Sequence, residues 1–277
     1  MVKQTVRLVL SGLFVGLFVI GCFLCASLSC STSPNTLHSS SAHSTEKEII
    51  SEITQMSVLV LYEESAGSGV LFKCDNKVLV LTAAHVICDG DYSNLATIDK
   101  SSFTYATKQI RLAGHKHNSE QVLWASLGTL VTINPDMDYA ILEVDIGETS
   151  HMRMTSFDIS DAEIGEEIFL VGSPMWKVGT VTKGIVCHSH RKLGLPIFGI
   201  IEYIQTDAAG GPGSSGGGMF RSSDGVCIGI AVVKDNVLGI MMILPIGTIV
   251  QDLAESKMNA IELPCSYRNT KREYIVL

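Results

Sequence analysis

The chain has 277 residues, 46% of them hydrophobic, and carries 28 acidic against 20 basic side chains for a formal net charge of −8. That balance lacks the basic stripe of a nucleic-acid-binding protein. Eight cysteines are present, with no spacing that reads as a zinc site, so neither nucleic acid nor a metal is expected as a partner.

The first element is apolar. Leu8 to Cys30 has no charged residue and follows Lys3 and Arg7. It is long enough to span a bilayer as a helix, and it also fits the apolar core of a signal peptide. Both readings keep the basic end in the cytoplasm and export the rest. The stretch VIGC, Val19 to Cys22, resembles a bacterial lipobox, although apolar residues continue after it. Residues 1–30 are therefore expected to be a signal peptide or membrane anchor. Anchoring ranks ahead of free secretion, and the remainder is placed in the periplasm or at the cell surface.

The next stretch, Ser31 to Glu48, is polar and rich in Ser and Thr. It cannot bury enough surface to fold, and residues 31–50 are expected as a tether. About 220 residues follow, enough for one domain with a sizeable core or two small lobes.

From Ser57 onward short apolar runs alternate with turn signals. SVLVLYE, SGVLFKC, KVLVLTAA, KQIRLA, YAILEVD, EIFLVG, GTVTKGIVC, FGIIEYIQ, VCIGIAVV and VLGIMMILP are rich in Val, Ile and Leu and too short for typical helices. Such a series without intervening amphipathic helices predicts an all-β sandwich or barrel. A hairpin turn is expected at KCDNKV, Lys73 to Val78. One helix is predicted over Pro245–Met258, with Ile246, Ile249, Val250, Leu253 and Met258 on one face. Residues 261–277 read as a tail.

Three residues carry the chemistry. His85 sits just after an apolar strand, in VLVLTAAHVIC, at a turn of small residues. His115 with His117, and His188 with His190, lie in polar segments and read as solvated loop residues rather than metal ligands. Asp138 immediately precedes the buried-strand pattern YAIL, where a carboxylate is costly to desolvate without a partner such as an imidazole N–H. The run AAGGPGSSGGGMF, Ala208 to Phe220, sits between two strand patterns, where a linker is out of place. It has no following Lys and helix to make a phosphate cradle. Its glycines suit a backbone that must approach a substrate closely around one nucleophilic serine.

In the order His85, Asp138, Ser215, the chain resembles the trypsin-like serine proteases of the chymotrypsin fold, and most the bacterial HtrA/Deg branch. GSGVLF, LTAAHV, DYAIL, VGSP, GTVTKGIV and IQTDAAGGPGSSGG carry the resemblance, over roughly Met56 to Ile249. It implies two six-stranded antiparallel β-barrels with a short C-terminal helix, within a protease domain over 51–260, the barrels at about 51–155 and 156–250. It implies a cofactor-free endopeptidase acting on protein or peptide substrates, with His85 as base, Asp138 orienting it and Ser215 as nucleophile. The N–H groups of Gly213 and Ser215 would form the oxyanion hole.

The primary specificity pocket would lie near Ala209, with Ile228, Gly229 and Ile230 in its wall. Without an acid there, small or medium aliphatic side chains are expected before the cut. Ser214, Gly218, Gly210 and Gly211 depart from the family pattern and predict a flexible loop that substrate would have to order. Ser214 is a rival nucleophile, but the G-x-S-G-G frame selects Ser215. Cys74 and Cys88 are expected to stay unpaired, since a returning strand separates them by roughly 25 Å where a disulfide needs about 7 Å. Only Gln251 to Leu277 follow the resemblance, so regulation through the PDZ domain many HtrA/Deg relatives carry is not expected. Trimers are common in that branch, but no feature of the sequence reports the oligomeric state. A catalytically weak binding or chaperone-like module on the same fold is the alternative, and the intact triad argues against it.

Overall fold

The computed structural model describes residues 44–89, 103–148, 152–195, 199–235 and 238–256, with the backbone of 267–268 and 274–275. The expected anchor or signal peptide and most of the expected tether lie outside the described residues, as does Met258. Among the described residues no helix is long and apolar enough to cross a membrane.

The tether expected to reach residue 50 gives way sooner, to helix α1, Glu46–Gln55. Thr45 Oγ1 accepts the Glu48 N–H at 3.3 Å, and Glu48 Oε2 accepts the Thr45 N–H at 2.7 Å. This reciprocal cap satisfies two donors that the helix start would otherwise leave open. Ile49 and Ile53 form its buried stripe and press against Gly225. The polar residues 46–48 are thus the capped first turn of a helix.

The first barrel comprises β1 (Ser57–Tyr62), β2 (Ser65–Cys74), β3 (Lys77–Thr82), β6 (Ile110–His115), β7 (Val122–Asn134) and β8 (Tyr139–Val144). Its order is β1-β2-β3-β8-β7-β6, closed because β1 pairs with both β2 and β6. Outside it, β4 (Cys88–Asp89) pairs with β5 (Thr104–Tyr105). The hairpin expected at KCDNKV joins β2 to β3, with Asp75 at φ 51°.

The second barrel comprises β9 (Glu167–Gly172), β10 (Thr180–Leu195), β11 (Gly199–Thr206), β12 (Gly218–Arg221), β13 (Cys227–Lys234) and β14 (Met241–Pro245). It closes in the order β10-β11-β14-β13-β12-β9. Two closed six-stranded antiparallel barrels match the expected fold class. The predicted helix is α2, Ile246–Glu255, with Ile246, Ile249 and Leu253 buried. Cys74 and Cys88 are buried and form no disulfide with each other, as expected.

The larger apolar core fills the first barrel and continues through Phe169, Val171, Tyr203 and Leu244 into α2; the smaller fills the second barrel around Leu170, Ile204, Met219 and Ile243. Phe72 and Phe157 meet edge to face, 5.2 Å between ring centres, where the inter-barrel connection crosses β2.

That connection is fastened by a buried charge. Arg221, at the end of β12, donates through Nη1 to Asp158, through Nε to Glu166 Oε1 at 2.5 Å and through Nη2 to Ser160 Oγ at 3.0 Å. Asp158 is 2% exposed, so removing the guanidinium strands a carboxylate away from water. Arg221→Leu is expected to lower unfolding free energy by about 3–5 kcal/mol in urea titrations. An unchanged midpoint would show that the network is dispensable.

Candidate active site

His85 lies in a single helical turn, Ala84–Ile87, directly after β3. Ala83 and Ala84 are fully buried, so only small side chains fit that turn. Asp138 closes the loop between β7 and β8, in the left-handed region at φ 64°, and is completely buried. Aspartate tolerates that conformation better than most residues. The His85 backbone N–H donates to Oδ1 of Asp138 at 2.9 Å, and its ring Nδ1–H donates to Oδ2 at 2.7 Å. Both carboxylate oxygens are thereby engaged by one residue, which fixes the ring's plane as well as its tautomer. With the proton on Nδ1, Nε2 carries the lone pair a base needs.

Burial disfavours the charged ring, but the charge and hydrogen bond of Asp138 more than offset it. The His85 pKa is raised above 6.5. The phenol of Tyr203 on β11 is also buried, without a hydrogen-bond partner. Burial first, and then the Asp138 charge, push its pKa upward.

Ser215 stands in the loop between β11 and β12, and that loop lies against the His85 turn. A Cβ on Gly67 would meet the Val86 side chain and, at 3.1 Å, the Ser215 carbonyl oxygen. Gly216, at φ 81°, leaves no room for a side chain between Ser68, Thr82 and Ala83. The nucleophile candidate and the histidine turn are therefore neighbours through two glycines.

Every carbonyl in the glycine-rich loop from Ala209 to Ser215 accepts a hydrogen bond. Thr182 Oγ1 holds Ala209 and Lys234 Nζ holds Gly210, each at 2.7 Å. The Ser214 N–H holds Gly211 and the Met175 N–H holds Pro212, each at 2.8 Å. Ser68 Oγ holds Gly213 at 2.7 Å. The Gly217 N–H holds Ser214 at 2.9 Å, and the Ser68 N–H holds Ser215 at 2.7 Å. The N–H groups of Gly213 and Ser215 donate to no acceptor among the described residues.

A trans peptide is planar, so its N–H points opposite its carbonyl. Pinning Pro212 and Ser214 by their oxygens aims the N–H groups of Gly213 and Ser215 the other way. Met175, which makes the bond to Pro212, and Trp176 both adopt left-handed backbone, at φ 50° and 65°. Such strain is characteristic of functional sites.

The two serines differ. Ser214 is 3% exposed, and its Oγ accepts the Gly211 N–H at 3.1 Å. Its hydroxyl closes a turn, whereas Ser215 is partly exposed.

Ser68, fully buried on β2, carried no signal of its own in the sequence. Its Oγ accepts the Ser173 N–H at 2.8 Å while donating to Gly213, and its carbonyl accepts Thr82 Oγ1 at 2.7 Å. One residue thus joins the first barrel to the Ser215 loop and to the turn after β9.

Of the expected pocket residues, Ala209 is exposed beside the loop. Ile228 and Ile230 are buried core residues, and a Cβ on Gly229 would meet Ile243 and Leu244. The strand first meets the loop at Ala231, which exchanges hydrogen bonds with Gly216 and Gly217. The Met241 side chain lies beneath Gly210. Among the described residues no cluster of His, Cys, Asp and Glu could hold a metal ion. His117 instead pairs with Thr54 through Nδ1 at 2.6 Å, and His190 lies 3.4 Å from Glu202.

Residues 67–230 match the model of the trypsin-like peptidase domain. The chain is 29% identical over 167 residues to a probable periplasmic serine endoprotease, DegP-like, of Pseudomonas fulva, covering 60% of this chain and 29% of that one. It is 30% identical over 192 residues to the serine protease Do-like HtrA of Bacillus subtilis, covering 66% and 37%. It therefore spans about a third of the length of these curated relatives. A serine endoprotease structure from Yersinia pestis superposes with a TM-score of 0.56 at 23% identity, over 77% of this chain and 66% of that one.

Replacing Ser68 by Ala would leave the Ser173 N–H and the Gly213 carbonyl without their shared partner. A loss of about 1–3 kcal/mol of unfolding free energy is expected. A urea midpoint equal to that of the wild type would mean the bridge carries no load.

Proposed function

The chain belongs to the trypsin-like peptidase family, and from that premise we propose that it is a serine endopeptidase using His85, Asp138 and Ser215. The observation that carries this reading is the doubly bonded His85–Asp138 pair set beside a serine loop whose carbonyls are all turned away. Ser215 Oγ attacks the peptide carbonyl while His85 Nε2 takes its proton. The imidazolium so formed is stabilised by Asp138 and later protonates the leaving amine. The N–H groups of Gly213 and Ser215 receive the charge that develops on the carbonyl oxygen; one such donor is worth on the order of 100-fold or more in rate. Held by their pinned carbonyls, they are in position before substrate arrives.

The relatives named as periplasmic support a catalytic domain working outside the cytoplasm, and the apolar run Leu8 to Cys30 supports attachment to a membrane. Protein quality control or processing suits such an enzyme, acting on peptide and protein substrates.

For specificity, the pocket lies beside Ala209 and Gly210, with Ala231 to Val233 as its wall. No acid stands there, and Lys234 adds a cation on the Gly210 carbonyl. Basic side chains are repelled, and small or medium aliphatic ones fit.

Two experiments bear on this reading. A fluorophosphonate probe should label the purified wild type and Ser214→Ala but not Ser215→Ala. An unlabelled wild type would favour a binding module on a protease fold. In a peptide library, cleavage should follow aliphatic residues; cuts concentrated after Lys or Arg would sink the pocket assignment.

A further inference from the structure

Asp138 owes its place to a hairpin, and the hairpin is gripped from outside by α2. Asn134, the last residue of β7, pairs in register with Tyr139, the first residue of β8. Between them lies the loop that ends in Asp138. The Asn134 side chain organises this loop, its Oδ1 accepting the N–H groups of Asp136 at 2.9 Å and Met137 at 3.0 Å.

One carboxylate oxygen of Asp252, in the second turn of α2, accepts from both ends of the hairpin. Asn134 Nδ2 donates to Oδ2 at 2.8 Å, and the Tyr139 hydroxyl donates to the same oxygen at 2.5 Å. Tyr139 is 1% exposed, so its hydroxyl sits where an unmade bond is costly. Burial, then the bond to Asp252 and its charge, push that phenol's pKa upward, so it stays a donor.

We infer that Asp252 is a positioning residue for the catalytic acid: its carboxylate clamps Asn134 to Tyr139, and the clamped hairpin holds Asp138 in the left-handed conformation that presents both oxygens to His85. The inference rests on the protease reading above for its kinetic consequences, but not for its effect on the His85 ring. It gives α2, remote in sequence from His85 and Asp138, a part in the chemistry. Small errors in the placement of a catalytic group cost far more rate than stability.

The test compares wild type with Asp252→Ala, Asp252→Asn and Tyr139→Phe, with Gln251→Ala as a control on the exposed face of the same helix. The asparagine keeps an oxygen able to accept both bonds; the alanine keeps none; the phenylalanine removes one. The readouts are kcat and KM on a quenched-fluorescent peptide from the library, the acid limb of kcat/KM, and the His85 ring pKa by NMR. Among the described residues the Tyr203 phenol also faces the Asp138 charge, and it is untouched by every variant.

In the wild type the acid limb should lie above 6.5, because Asp138 raises the ring's pKa. For Asp252→Ala, kcat should fall on the order of 10- to 100-fold with KM little changed. The His85 pKa, and with it the acid limb, should move to lower pH as the carboxylate loosens. Tyr139→Phe should shift both in the same direction by less, Asp252→Asn should restore them, and Gln251→Ala should match the wild type.

A folded Asp252→Ala protein with wild-type kcat and an unshifted His85 pKa would overturn the inference alone. So would Asp252→Asn as impaired as the alanine. If Asp252→Ala does not fold, Tyr139→Phe decides, and an unshifted His85 pKa there overturns the inference. A wild type that hydrolyses nothing would overturn the protease reading instead, while the NMR titration would still decide whether Asp252 acts on His85.

Discussion

On the proposed reading, the Ser215 loop must offer two N–H groups to an oxygen and so send its own carbonyls elsewhere, and each carbonyl from Ala209 to Ser215 finds a donor. The donors come from β2, from the turn after β9, from β10, from β13 and from the loop itself. None of these bonds is unusual in length. Their effect lies in covering the whole run Ala209 to Ser215, so that peptide planes on both sides of Gly213 are fixed. Ser68 is the most connected of the donors, because its hydroxyl, N–H and carbonyl all take part. It links the barrel that carries His85 and Asp138 to the barrel that carries Ser215.

The same constraint explains why a run so rich in glycine need not be loose. Glycine widens the conformations available to an unfolded chain, which is an entropic cost of folding. It also removes the side chain that would keep Gly67, Gly216 and Gly210 apart from Val86, Ser68 and Met241. Here close approach is the use made of that freedom, and the hydrogen bonds constrain the backbone. Composition alone suggested flexibility because it reports the residue's range and not its partners.

The strands were legible where apolar residues run together, as in VLVLT and YAIL, and the amphipathic period of α2 was legible as well. The strand β7 escaped notice because its half-exposed pattern, VLWASLGTLVTIN, mixes Gly, Ser and Thr with apolar residues across both faces. β12 is short and lies inside the glycine-rich run. The first turn of α1 looked like tether because a capping box is built from polar residues. Candidates for the site were nameable from local context: small residues before His85, a buried strand after Asp138, glycines around Ser215. Ser68, Asn134 and Asp252 have no such context. Each matters through a partner far away in sequence, and a serine between glycines or an acid on a helix reads locally as an ordinary polar residue.

The pinned loop also sets an order of events in time. The peptides that aim the Gly213 and Ser215 N–H groups are held by Met175 and Gly217, and the donors for the loop as a whole are spread from Ser68 to Lys234. Contacts of such sequence separation carry a loop-closure cost and tend to form late in folding. A nascent or half-folded molecule would therefore contain the serine, the histidine and the aspartate before the loop around Ser215 is fully held. On the proposed reading, reactivity would come with the completed fold.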